Sequence, residues 1–235
     1  MDGEMCLILV KAACKAVGRA APHSRDDVVK NKIAIWEIVA VVLTALLHPV
    51  FVEILHQRAI FIILALLGWL SYLAIRCWRH KNALAALGLR KEGYRPTLIA
   101  TSVFGVIAFA AMVKIAIAHH RLLFRWEMLP LLFLYPVWGM LQQLLVQGIF
   151  VKPLSDHGFL PNIVVALAAS VLFAAVHMPD LRLAGATFLM GAVFTVLYLR
   201  WRNLWPLGVC HGWLGVFYYY WILERNPWAE IFRGG

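Results

Sequence analysis

The chain has 235 residues, 63% of them hydrophobic and 14% charged, with a net charge of +10, and its mean hydropathy is +0.77. Soluble domains are about half apolar and a quarter charged, so this composition excludes soluble, fibrous and disordered chains and specifies an integral membrane protein. In that setting the basic excess belongs to cytoplasmic loops and not to a nucleic-acid surface.

The first residues, MDGEMCLILVKAACKAVGR, carry no basic stretch ahead of the short apolar run. No cleaved signal peptide is therefore expected, and the segment is expected to form an amphipathic helix on the membrane surface. Seven apolar segments follow, at about 33–55, 59–78, 97–118, 128–151, 160–178, 183–200 and 203–222. Each approaches the ~20 residues that cross a bilayer as a helix, and only helices satisfy their own backbone in lipid. The expected fold is all-α, a polytopic transmembrane helix bundle of about seven spans.

Lysine and arginine concentrate in the tail up to Lys32, in the loop 79–96 and after the fourth and sixth segments. The positive-inside rule therefore places the N-terminus in the cytoplasm, in what is expected to be a bacterial cell membrane. The division expected is a tail over 1–32, N-terminal spans over 33–127, a core over 128–222 and a C-terminal tail over 223–235. Cys6, Cys14, Cys77 and Cys210 form no CxxC and no zinc-like cluster, so neither a disulfide framework, a metal nor a cofactor is expected.

Polar side chains inside spans carry the information, because burying them is costly unless they are paired or solvated. The fourth segment holds Gln142, Gln143 and Gln147 in WGMLQQLLVQGIF. The fifth ends on Phe173 and His177 in VLFAAVHMPD, and the seventh holds His211 in NLWPLGVCHGWLG. Gln143 and Gln147 are four apart and share a helix face, as do Phe173 and His177. Gln142 points about 100° from Gln143. Asp180 either orients His177 or caps a helix. His48 and His56 read as interfacial. Lys114 either snorkels or pairs with a buried acid.

The order and spacing of these residues resemble the CPBP family of CAAX-protease and bacteriocin-processing membrane proteins, which includes the type II CAAX prenyl endopeptidases. That family carries EExxxR, FxxxH and HxxxN or HxxxD on separate spans. Here the first motif reads QQLLVQ, the second FAAVH and the third HGWLG, over roughly residues 128–220. The resemblance implies a CPBP-like core over 128–222, a catalytic set of Gln142, Gln143, Gln147, His177 and His211, and a substrate-binding Phe173. The implied partners are membrane lipids and a prenylated or membrane-embedded peptide.

The departures are chemical. Glutamine has no useful proton affinity near neutral pH and cannot replace the family's glutamate base. Gln147 stands where the family has arginine, and Gly215 where it has asparagine or aspartate. A neutral imidazole, with an ordinary pKa of about 6.5, can accept a proton. The expected function is thus a diverged intramembrane endopeptidase with His177 or His211 as base and a glutamine as oxyanion donor. The alternative is a non-catalytic protein that holds a lipid, prenyl chain or partner helix in the same cavity. Either reading needs His177, near the far end of its segment, to approach the mid-span Gln142 and His211, which asks for a tilted or displaced fifth helix.

Overall fold

The computed structural model describes residues 25–156, 158 and 160–232. The surface helix expected at the N-terminus, with Cys6 and Cys14, lies outside the described residues. The described chain is helical throughout, with no strand.

The chain divides into two compact units, Met1–Ala40 and Val41–Gly235. Of the first, the described residues are the N-terminal part of helix α1, Arg25–Pro49. In the second, a π-helical turn over Val50–Ile54 continues α1, and α2 covers Arg58–Arg79. The short α3, Ala83–Leu87, lies in the polar loop, and α4 is Tyr94–Ala118. Helix α5, Met128–Gln143, runs into a π-helical segment, Leu144–Val151, and the short α6, Lys152–Asp156. Then come α7, Asn162–Ala175, α8, Leu181–Trp201, and α9, Trp205–Phe217. Helix α9 passes into a π-helical turn, Tyr218–Ile222, and α10, Pro227–Phe232, ends the described chain.

Among the described residues, five helical stretches are long and apolar enough to cross a membrane: Ile35–Val52, Ile60–Arg79, Tyr94–Ala118, Met128–Asp156 and Leu181–Trp201. The other two expected spans are shorter. The fifth segment is helical over only 14 residues, Asn162–Ala175, because Pro161 stands at its start and the turn containing Pro179 follows its end. The seventh is a 13-residue α-helix with a π-helical extension.

Two devices hold the core and aim the site. The first is a seam between α5 and α9. A Cβ built on Gly212 would stand 2.4 Å from the Pro136 nitrogen, one on Gly139 2.6 Å from the Gly208 carbonyl oxygen, and one on Gly208 2.7 Å from the Met140 Cα. Glycine alone permits that backbone approach, the small-residue packing that replaces hydrophobic collapse in lipid. Pro136 contributes too. It has no N–H to return to the Leu132 carbonyl, and the Trp213 indole N–H donates to that carbonyl at 3.0 Å.

The second device locks the 79–96 loop onto the ends of α8 and α9. The Tyr198 hydroxyl donates to the Leu87 carbonyl at 2.8 Å, Arg90 Nε to the Arg202 carbonyl at 3.0 Å, and Asn203 Nδ2 to the Glu92 carbonyl at 3.0 Å. These bonds satisfy carbonyls that a helix end leaves open. Lys114 is exposed on α4.

Candidate functional site

The seam decides where His211 goes. It lies on α9 one position before Gly212, so the close approach to α5 buries its ring beside the Gly139 backbone. The Nδ1 atom of His211 is buried without a hydrogen-bond partner. His177 lies just past the end of α7, in the turn before α8. Its Nδ1 stands 2.7 Å from the Phe173 carbonyl oxygen. A carbonyl only accepts, so Nδ1 carries the proton and Nε2 of the neutral ring is left with its lone pair. The Phe173 ring stands edge-on to both imidazoles, with centroids 5.3 Å from His177 and 5.2 Å from His211. One phenylalanine thus spaces the two histidines and fixes the tautomer of one of them.

Two cavities meet here. The smaller, about 400 Å³, is lined by Gln142, His177, His211, Thr187 and Gly215 among apolar residues of α4, α5, α8 and α9. No Asp, Glu, Lys or Arg lines it. The larger, about 730 Å³, is walled by α1, α2, α5 and α7 and is mostly apolar. Gln142, His177, Tyr135, Trp138, Leu183 and Tyr219 line both cavities. The polar end of the larger cavity holds Asp180, Arg182, Arg225 and Glu230.

Gln143 and Gln147 line neither cavity. Both are fully buried. Gln147 Nε2 donates to Gln143 Oε1 at 3.3 Å and to Thr195 Oγ1 on α8 at 3.1 Å. The four-residue spacing therefore produces a shared polar face, but that face looks into the protein towards α8 and away from the histidines. Gln143 Nε2 and Gln147 Oε1 keep no partner. The structure thus brings Gln142, His177, His211 and Phe173 together and sets the Gln143–Gln147 pair apart. The wider i→i+5 turn that begins at Leu144 is a form often found beside functional sites.

Asp180, Glu230 and Glu127 each have other partners. Asp180 caps α8, accepting from the backbone N–H groups of Arg182 and Leu183 at 3.0 and 3.1 Å; of its two expected roles it takes the cap. Glu230 accepts both arms of Arg225, at 2.7 and 2.9 Å, and Asp180 lies 4.0 Å from the same guanidinium. The Arg225–Glu230 hydrogen bond, outside the helical spans, holds the guanidinium further above its already high ordinary pKa. Glu127 is buried and accepts from Asn226 at 3.4 Å, away from both cavities. Among the described residues no three His, Cys, Asp or Glu side chains are grouped to hold a metal ion. At Gly215 the space a side chain would take abuts the Tyr135 ring, whose Cδ1 would be 3.4 Å from a Cβ.

Residues 124–217, which contain every one of these motif positions, match the family described as type II CAAX prenyl endopeptidase, Rce1-like. This segment is similar to that family's domain, and the match covers less than half of the chain. No curated protein and no solved structure matches the chain. The matched segment begins just before α5 and ends with α9, so helices α1 to α4 and the whole polar loop 79–96 lie outside it. Within it, the seam glycines were legible as Gly208-x-x-x-Gly212, a small-residue repeat that hydropathy does not register.

Proposed function

We propose that this protein is a diverged intramembrane endopeptidase that cleaves a lipidated or membrane-embedded peptide with a histidine as base. The observation that carries this reading is the unprotonated Nε2 of His177 at a cavity shared with Gln142 and His211 and lined by no carboxylate. In the proposed step, a water oxygen attacks the scissile carbonyl carbon while His177 Nε2 takes its proton. The oxyanion formed is held by an N–H of Gln142, with His211 beside it. The C–N bond then breaks and His177 returns the proton to the leaving amine, so charge and protons balance. The N-terminus and the loop 79–96 face the cytoplasm of a bacterial cell in this reading.

The test is the purified protein in detergent against a library of prenylated peptides, with products read by mass spectrometry. New termini are expected from wild type and none from His177→Ala at equal folding. Rate should fall once the pH is low enough to protonate that imidazole, since a base must be unprotonated to act. A wild type that cleaves nothing, or a His177→Ala variant that cleaves equally well, overturns the proposal.

The non-catalytic reading has its own support. Gln147 is spent on structural bonds to Gln143 and Thr195, and the larger cavity is mostly apolar. It predicts a lipid that copurifies with wild type and is lost from His211→Ala, with no cleavage by either.

A further inference from the structure

We infer that Tyr135 is a substrate-positioning residue of the same site, its hydroxyl donating a hydrogen bond to the backbone of the departing peptide segment about three residues beyond the scissile bond. This rests on the reading of the site as one that cleaves a lipidated peptide, and it adds a residue that lies outside all three motifs.

Tyr135 stands on α5 seven residues before Gln142, two turns away on the same helix face. Tyr135, Trp138 and Gln142 all line both cavities. The Tyr135 ring is held on two sides. Tyr219 meets it edge-on, with centroids 6.4 Å apart and an interplanar angle of 80°. On α9, a Cβ built on Gly215 would stand 3.4 Å from its Cδ1 and 3.7 Å from its Cε1. A longer side chain at 215 would compete with the ring for this space, so the glycine of the third motif leaves room for the tyrosine. Nearby hydroxyls are engaged: Tyr218 donates to the Arg182 carbonyl at 2.8 Å, Tyr220 to Asn226 Oδ1 at 2.8 Å and Thr187 to the Leu183 carbonyl at 2.9 Å. Among the described residues the Tyr135 hydroxyl has no hydrogen-bond partner, and it is not sealed away as His211 Nδ1 is.

Arg225 and Glu230 lie within electrostatic reach of Tyr135, which places its hydroxyl towards the polar end of the larger cavity. The turn from His177 to Asp180 leads to the same end. In the proposed step His177 returns its proton to the leaving amine, so the departing segment starts at His177 and runs towards that end. Seven residues of helix rise about 10 Å, the span of about three extended residues, so the hydroxyl meets a carbonyl that far beyond the bond cut at Gln142. A phenolic O–H donates, and a peptide carbonyl is the complementary acceptor. The bond is made in bound substrate and transition state alike, so it adds binding and not chemistry.

The test uses the full chain in detergent micelles and dansylated S-farnesyl-cysteine peptides that carry one to five alanines beyond the cysteine, whose carbonyl is the one placed at Gln142. In wild type, affinity should rise about 5-fold at the third or fourth alanine, the scale of one neutral hydrogen bond. Tyr135→Phe should bind the one- and two-alanine peptides as wild type does and show no such rise. Its thermal stability should be unchanged, since the hydroxyl removed bonds nothing among the described residues. In cleavage of the five-alanine peptide, Tyr135→Phe should raise KM about 5-fold and leave kcat as it is. Equal affinities of the two proteins for the long peptides, a loss shared by short and long peptides, a loss of stability in Tyr135→Phe or a wild type that binds no peptide each overturn the assignment. Length-dependent binding without cleavage removes the endopeptidase reading and leaves Tyr135 standing. Cleavage by wild type that Tyr135→Phe matches in KM removes Tyr135 alone.

Discussion

The α5–α9 seam and the helical hairpin over residues 41–79 are both apolar in sequence, yet they are built on different principles. At the seam, Gly139, Gly208 and Gly212 let two backbones approach until no Cβ fits. In the hairpin, Leu43, Leu46, Leu47, Ile63, Leu64, Leu67 and Leu70 are all exposed, and the buried residues are few. Gly68 in α2 has nothing within 4 Å of where its Cβ would be. The seam is a fixed frame that aims His211, whereas the hairpin is a lipid-facing wall that closes one side of the larger cavity. Hydropathy sees one kind of helix; only residue size separates frame from wall.

The sharpest way to break the comparison is a single methyl group. Gly212→Ala drives a Cβ into the Pro136 backbone and should cost about 3 kcal/mol or prevent accumulation of folded protein, the upper range for overpacking. Gly68→Ala should be neutral or slightly stabilising, because alanine is the better helix former. Denaturation in mixed micelles reads both. Similar effects at the two positions would dissolve the distinction between frame and wall.

Next in size is the loss of function without loss of fold. Gln142→Leu removes the only glutamine that lines the cavities and should lower turnover ~10²-fold, as for a lost oxyanion donor, with unchanged stability. Gln147→Leu should do the reverse. It removes the amide that bonds Gln143 and Thr195 and should cost about 1–3 kcal/mol of stability. Thr195→Val should be less costly, and the double variant should cost less than the sum of the two, because the residues share a bond. A Gln147→Leu variant that is fully stable but inactive would move the pair back into the reactive centre.

The smallest effect is expected at the surface. Arg121 and Glu224 form an exposed ion pair at 2.9 Å. Arg121→Gln should change stability by no more than about 0.5 kcal/mol, and less in high salt.

These contrasts also mark how far the sequence could be read. Helical class and membrane residence followed from apolar runs. FAAVH and HGWLG named two histidines by motif order, whichever way the helices faced. The glutamines were harder. Helical spacing already set Gln142 about 100° from the shared face of Gln143 and Gln147, but which face meets the cavity depends on Thr195, 48 residues after Gln147. That partner is not local information. Asp180 could be narrowed to two roles, and only the positions of two backbone N–H groups chose between them.

The brevity of α7 has a consequence for the bilayer itself. Fourteen residues rise about 21 Å, against a hydrocarbon core of about 30 Å. A helix that short leaves a hydrophobic mismatch, which a membrane absorbs by thinning locally or by letting flanking groups snorkel. The thinned zone would lie at the end of α7, where His177 stands. A depression of the leaflet there would bring the headgroup layer and its hydration down to an imidazole that a full-length span would have stranded in oil.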